Sequence, residues 1–258
     1  MLHLSRAFSQ FRIPFFLSLL YVIFSVAVPA VSCAQNSSHH HDHSSMSMPM
    51  DDAKDPAAQA KLLADKKESE FNHHLAGIFV VLAGLFILTG ERLRNRWPSI
   101  KYAWPLCFLF SGIFVLVFSD TELWPFGPKN WWVGVTGNLE VLQHKTFAVI
   151  LLTLGVIEIL RAKDTLKAVW SSWVFPVLAA AGSVMLLFHA HDAGMHGPDA
   201  MSTMERIQMQ HFSYAALGVG IAVAKGVADT ESPIGRVSSY IWPTLMIVLG
   251  FVLARYTE

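Results

Sequence analysis

The sequence predicts an all-α, polytopic membrane protein: six transmembrane helices arranged as three tandem two-helix hairpins after an N-terminal signal peptide. Three observations predict it. Hydrophobic residues make up 53% of the 258 and charged residues only 15%, a balance unlike that of a soluble globular domain. Apolar runs of about 20 residues recur, each long enough to cross a hydrocarbon core about 30 Å thick. A pattern also repeats three times. Asn72-His73, Gln143-His144 and Gln210-His211 each open an apolar run, and Pro105, Pro176 and Pro243 each follow the histidine by 32 residues. An aromatic pair precedes every proline at the same offsets: Tyr102 and Trp104, Trp173 and Phe175, Tyr240 and Trp242. Three agreeing spacings define a repeat in which an amide and a histidine head each odd helix and an aromatic-x-aromatic-Pro heads each even one.

Residues 1–34 read as a secretory leader. Arg6 and Arg12 give a positive start, 13–28 an apolar middle, and Ser32-Cys33-Ala34 a small-residue cleavage site. Retention as an anchor is the competing reading. Residues 35–56 are a low-complexity, disordered tail in which His39, His40, His41 and His43 are followed by Met46, Met48 and Met50. Imidazoles suit copper, zinc or nickel and thioethers select cuprous copper, so this tail reads as a metal-capture segment on the periplasmic side. The six-helix domain occupies 57–258 and begins with an amphipathic surface helix over 57–70, with Pro56 following Asp55 in the manner of a capped helix start.

The spans follow at 71–90, 101–118, 138–160, 169–188, 206–224 and 239–254. Glycines 77, 84, 155, 182, 218 and 220 favour close helix packing. The aromatic and proline clusters at the even helices fit an interfacial belt, with proline in the first turn or at a kink. Between helices two and three, Trp124-Pro125-Phe126-Gly127-Pro128 and Trp131-Trp132 read as an external loop lying on the membrane surface or capping the site. Basic residues set the orientation. Arg92, Arg94, Arg96 and Lys101, then Arg161, Lys163 and Lys167, then Lys225 and Arg236 fill the three connections that the leader places in the cytoplasm. The protein is therefore expected in the inner membrane, with tail and histidines facing the periplasm. Zero formal net charge gives no sign of a nucleic-acid partner.

All eleven histidines after the leader fall on the predicted external half. His73, His144 and His211 occupy equivalent depths on helices one, three and five, where a three-fold arrangement would bring their rings together. Helix four adds His189, His191 and Asp192, with His196 in the loop beyond. Imidazole ligates a metal when neutral and needs its second nitrogen held by an acceptor. Glu70, three and four residues before His73 and His74, and Glu140, four before His144, have helical spacing for that role. The candidate metal residues are thus His73, His74, His144, His189, His191, Asp192, His196 and His211, with Glu70 and Glu140 behind them. Met195, Met201, Met204 and Met209 read either as a soft relay toward His211 or as apolar contacts. Glu158, deep in helix three, is a candidate inner station for a moving ion, or a partner for Arg161.

With the tail from His39 to Met50 and the external His73, His74, His144, His189, His191 and His211, the chain resembles the bacterial copper-resistance membrane proteins of the CopD type. That resemblance implies copper handling at the inner membrane from the periplasmic side, alongside periplasmic copper carriers or oxidases. The leading expectation is a copper-binding protein acting in transfer, transport or resistance without a catalytic step. Two others come from different classes: a b-type haem electron-transfer subunit, since paired membrane histidines can hold haem, and a metal-dependent membrane oxidase or hydrolase, with zinc as an alternative ion. No serine or cysteine nucleophile arrangement and no glycine-rich phosphate loop is present.

Overall fold

A computed structural model describes residues 56–188, 200–230 and 232–257. The expected leader and nearly all of the tail, with His39, His40, His41, His43, Met46, Met48 and Met50, lie outside the described residues, as do His189, His191, Asp192, Met195 and His196. The described chain is helical, and its residues from Gln59 onward form one compact unit.

Helix α1 runs unbroken over Pro56–Leu93. The surface helix expected at 57–70 is therefore continuous with the first span. Alanine, lysine, glutamate and leucine dominate the join, and neither glycine nor proline occurs between Pro56 and Gly77, so no residue interrupts the hydrogen-bond ladder. At 1.5 Å per residue, α1 is about 57 Å long, well beyond the apolar thickness of a bilayer. A 3₁₀ turn, Pro98–Tyr102, leads into α2, Ala103–Phe118. The short α3, Trp131–Gly137, starts where the Asn130 side chain accepts from the Trp132 N–H. Helix α4, Leu139–Ala162, is capped by Asn138, whose side chain accepts from the Glu140 and Val141 N–H groups. Then come α5, Ser171–Leu186, α6, Ala200–Ala228, and α7, Pro233–Leu253.

Among the described residues, four segments are long and apolar enough to cross a membrane: Gln59–Leu93, Pro98–Phe118, Ser202–Ala228 and Pro233–Leu253. Helix α5 has 16 residues, short of the roughly 20 that a crossing needs. Large apolar side chains stay exposed in helical stripes: Ile78, Leu82 and Leu85 on α1, Leu106, Phe110 and Ile113 on α2, Val149, Val156 and Leu160 on α4, and Phe212, Val219 and Val223 on α6. So much exposed apolar surface is tolerable only against lipid or a partner.

Contacts run in a closed circuit. Phe71 of α1 meets Phe114 of α2 edge-on, with ring centres 6.2 Å apart. Gly112 of α2 lies against Leu152 of α4, and Gly182 of α5 against Phe147. Gly218 of α6 admits Ser183 of α5, and Ser238 of α7 donates to the Ala224 carbonyl. The circuit closes where α7 crosses α1. A Cβ on Gly77 would stand 2.6 Å from the Gly250 carbonyl oxygen, and one on Gly250 2.6 Å from that of Gly77. Close backbone approach of this kind requires residues without side chains.

The aromatic pairs divide between two environments. Trp104, Phe175 and Trp242 turn inward and meet edge-on, with centres 6.3, 5.9 and 5.5 Å apart. Trp173 and Tyr240, two residues earlier on their helices, are exposed. Two steps along a helix turn a side chain by about 200°, so only one member of each pair can serve an interfacial belt. Proline positions differ too. Pro105 lies in the first turn of α2, whereas α5 and α7 begin early enough to carry Pro176 and Pro243 internally.

Candidate metal site at the histidine-bearing end

Two polar clusters occupy the end of the bundle opposite the basic connections. A hydrogen bond of 3.1 Å from Thr121 to Glu68 ties the α2–α3 loop to α1 one turn before His73, placing both clusters at the same end.

In the first cluster, His73 of α1 stacks on Tyr256, just beyond α7, with ring centres 3.8 Å apart and planes 20° from parallel. His211 of α6 lies 6.3 Å from His73 and 6.4 Å from Tyr256, centre to centre. Tyr256 and His211 are buried. His73 Nδ1–H donates to the Ser69 carbonyl at 2.8 Å, so its neutral ring carries the lone pair on Nε2. His74 Nε2–H donates to the Tyr256 carbonyl at 2.9 Å and helps hold that tyrosine in place. Ile207, His211 and Tyr214 share the buried stripe of α6, while Met209 and Phe212 are exposed. Met209 thus lies off the buried stripe that carries His211.

The second cluster centres on Asp120, a buried carboxylate directly after α2. Its Oδ1 accepts from His144 Nδ1–H at 2.9 Å and its Oδ2 from Lys145 at 2.7 Å, while Ser119 also donates to Oδ2. Lys145 is itself buried, donates to the Leu116 carbonyl at 2.9 Å, and lies over the Trp131 ring. Burial by itself would raise the Asp120 carboxyl, but the hydrogen bond and charge of His144, with Lys145 and Ser119, hold it below the usual carboxylate range.

The expected three-fold meeting of His73, His144 and His211 is therefore replaced by a pair and a separate histidine hydrogen-bonded to Asp120. Among the described residues no group of three His, Cys, Asp or Glu stands at metal-holding distance. Asp120 engages His144 in its own ion-paired cluster, and Tyr256 packs beside the other two. Helical spacing pointed to Glu140 behind His144, but the carboxylate found on its Nδ1 comes from 24 residues upstream, across a loop. Glu70 lies 3.9 Å from Lys66.

The amides beside the histidines have a structural part. Gln143 donates to the Phe188 carbonyl past the end of α5, and Gln210 to the Thr257 carbonyl past the end of α7. Each ties its own helix, α4 or α6, to the far end of the helix that follows it. At the other end of the bundle Glu158 is buried and accepts from Arg161 at 2.7 Å, the pairing set against an ion station from the sequence.

Asp120, Lys145 and Tyr256 are the functional candidates that sequence reasoning missed. The signals available in the sequence were weak: Asp120 is a carboxylate just past α2, Lys145 a cation next to His144, and Tyr256 an aromatic three residues after α7. Compared with protein-family models, with curated proteins and with solved structures, the chain matches none.

Proposed function

We propose that this chain is a membrane protein that binds a transition-metal ion, cuprous copper foremost, between His73 and His211, and passes it on without chemistry. The observation that carries the reading is the 6.3 Å between the two ring centres. With metal–nitrogen bonds of about 2.0–2.1 Å and about 1.1 Å more to each ring centre, two opposed imidazoles on one ion stand about 6.4 Å apart. The Ser69 carbonyl leaves the His73 lone pair on Nε2, and Tyr256 covers a ring face, whereas a metal binds in the ring plane. Two nitrogen ligands suit a cuprous ion better than zinc, which takes four. His144, poised by Asp120, and His74, His189, His191, Asp192 and His196 are the further ligands through which the ion would exchange with the tail or with a periplasmic carrier or oxidase.

Six crossings in three hairpins, with the histidine end in the periplasm, complete the reading. Gly84 and Gly155, each eleven residues after its repeat's histidine, lie against the carbonyls of Pro243 and Pro105. Equivalent positions thus make equivalent contacts. A b-type haem between the same histidines stands second, because a porphyrin needs a slot where Tyr256 already packs beside both rings.

Metal analysis and a visible spectrum of the purified protein test this. Copper is expected to stay near one equivalent when residues 35–56 are deleted and to be lost in the His73→Ala/His211→Ala variant. Copper unchanged in that variant overturns the site, and a strong Soret band abolished by the same substitutions replaces it with haem.

A further inference from the structure

At the end carrying the basic connections, a cavity of about 480 Å³ opens between the helices. Three separate connections line it: Arg94 and Lys101 from α1–α2, Arg161 and Lys167 from α4–α5, and Lys225 from the end of α6. Glu158 and Asp164 are the carboxylates on its wall and Asp229 pairs with Lys225, so five cations face three anions, a net charge of +2. The buried part of this charge is neutralised internally. Arg161 bonds Glu158 at 2.7 Å, and Lys225 bonds Asp229 at 2.5 Å. The excess therefore sits at the mouth, on Arg94, Lys101 and Lys167 set against Asp164, and none of the three cations has a carboxylate in ion-pair contact among the described residues. Trp104 and Trp242 give the floor apolar surface.

Three cations from two separate loops, held around one opening in excess over Asp164, repel one another unless a further anion sits among them. A phosphate group meets this arrangement, since its oxygens accept from guanidinium and ammonium together. We propose that this cavity is a binding site for a phosphate-bearing anion, seated with its charge among Arg94, Lys101 and Lys167 and any apolar portion against the tryptophans. Its two natural sources are the headgroup of an anionic phospholipid, which the membrane presents at this depth, and a soluble phosphate compound. The inference is independent of the metal reading.

The test uses full-length protein in a neutral detergent, titrated separately with short-chain phosphatidylglycerol, the matching phosphatidylcholine, and glycerol 3-phosphate, with thermal unfolding as the readout. Phosphatidylglycerol is expected to raise Tm where phosphatidylcholine does not, and Arg94→Gln/Lys167→Gln to weaken the apparent affinity by at least about tenfold. Both residues are exposed, and an unchanged Tm without added lipid shows that the variant folds. A shift given equally by glycerol 3-phosphate and lost in the variant keeps the site and assigns it to soluble phosphates. No anion-specific shift, or one equally lost in the distant control Lys61→Gln/Lys129→Gln, overturns the proposal.

Discussion

Asp120 holds His144 and Lys145 on one carboxylate, and removing it strands Lys145 in a buried position with its charge uncompensated. Breaking a buried pair from one side costs about 3–5 kcal/mol. Asp120→Ala is accordingly expected to lower stability by about 3 kcal/mol, measured by thermal or denaturant unfolding in detergent, and a loss under about 1 kcal/mol would show that water already shares the pair. The same residue sets a pH dependence. Its carboxyl lies below the ordinary range when folded. Its contribution is therefore full above the unfolded value of about 4 and is lost as pH falls through the lowered folded value. Wild-type protein should lose Tm below about pH 4 more steeply than Asp120→Asn, and parallel curves would remove Asp120 from the account. None of this was legible in sequence spacing, because the α2–α3 loop sets the relation between 120 and 144.

At the scale of elements, the reciprocal contact of Gly77 and Gly250 sets how closely α1 and α7 pack. Gly250→Val inserts atoms where the Gly77 carbonyl and Val81 already stand. Overpacking of this kind costs about 1–3 kcal/mol, with the two helices forced apart. Gly90 offers the contrast, since a Cβ there meets nothing within 4 Å. Gly90→Ala should stabilise by about 0.5–1 kcal/mol through helix propensity alone. Thermal unfolding of both variants decides it: equal effects would mean that the crossing does not depend on glycine. Spacing in the chain exposed α2 and α4 within a few residues of their ends. It could not show that α1 is a single helix of 38 residues or that α7 starts at Pro233. Those ends depend on caps such as Ser232, which accepts from the Gly235 N–H, and local side-chain bonds leave no periodic trace.

For the molecule as a whole, the gathering of Arg94, Lys101, Arg161, Lys167 and Lys225 around one cavity puts the three basic connections at one end and His73, His144 and His211 at the other. Which end faces the cytoplasm is open to direct measurement. With Cys33 and Cys107 replaced, a cysteine at 129 should react with an impermeant maleimide on spheroplasts whose inner membrane is intact, and one at 163 only after permeabilisation. The opposite pattern would reverse the orientation and put the histidine site on the cytoplasmic side.

The chain by itself determined the helical class, the threefold recurrence, the positions of most spans and the placing of His73, His144 and His211 at one end. All of these are written in the order of apolar, aromatic and basic residues along one dimension. Tertiary structure alone decided the partners: Tyr256 beside His73 and His211, Asp120 on His144, Gly250 against Gly77, and Trp104, Phe175 and Trp242 face to edge. Each joins residues far apart in the chain, brought together by where loops turn and how closely backbones pack. A periodic pattern specifies which face of a helix is buried but not which neighbour that face meets.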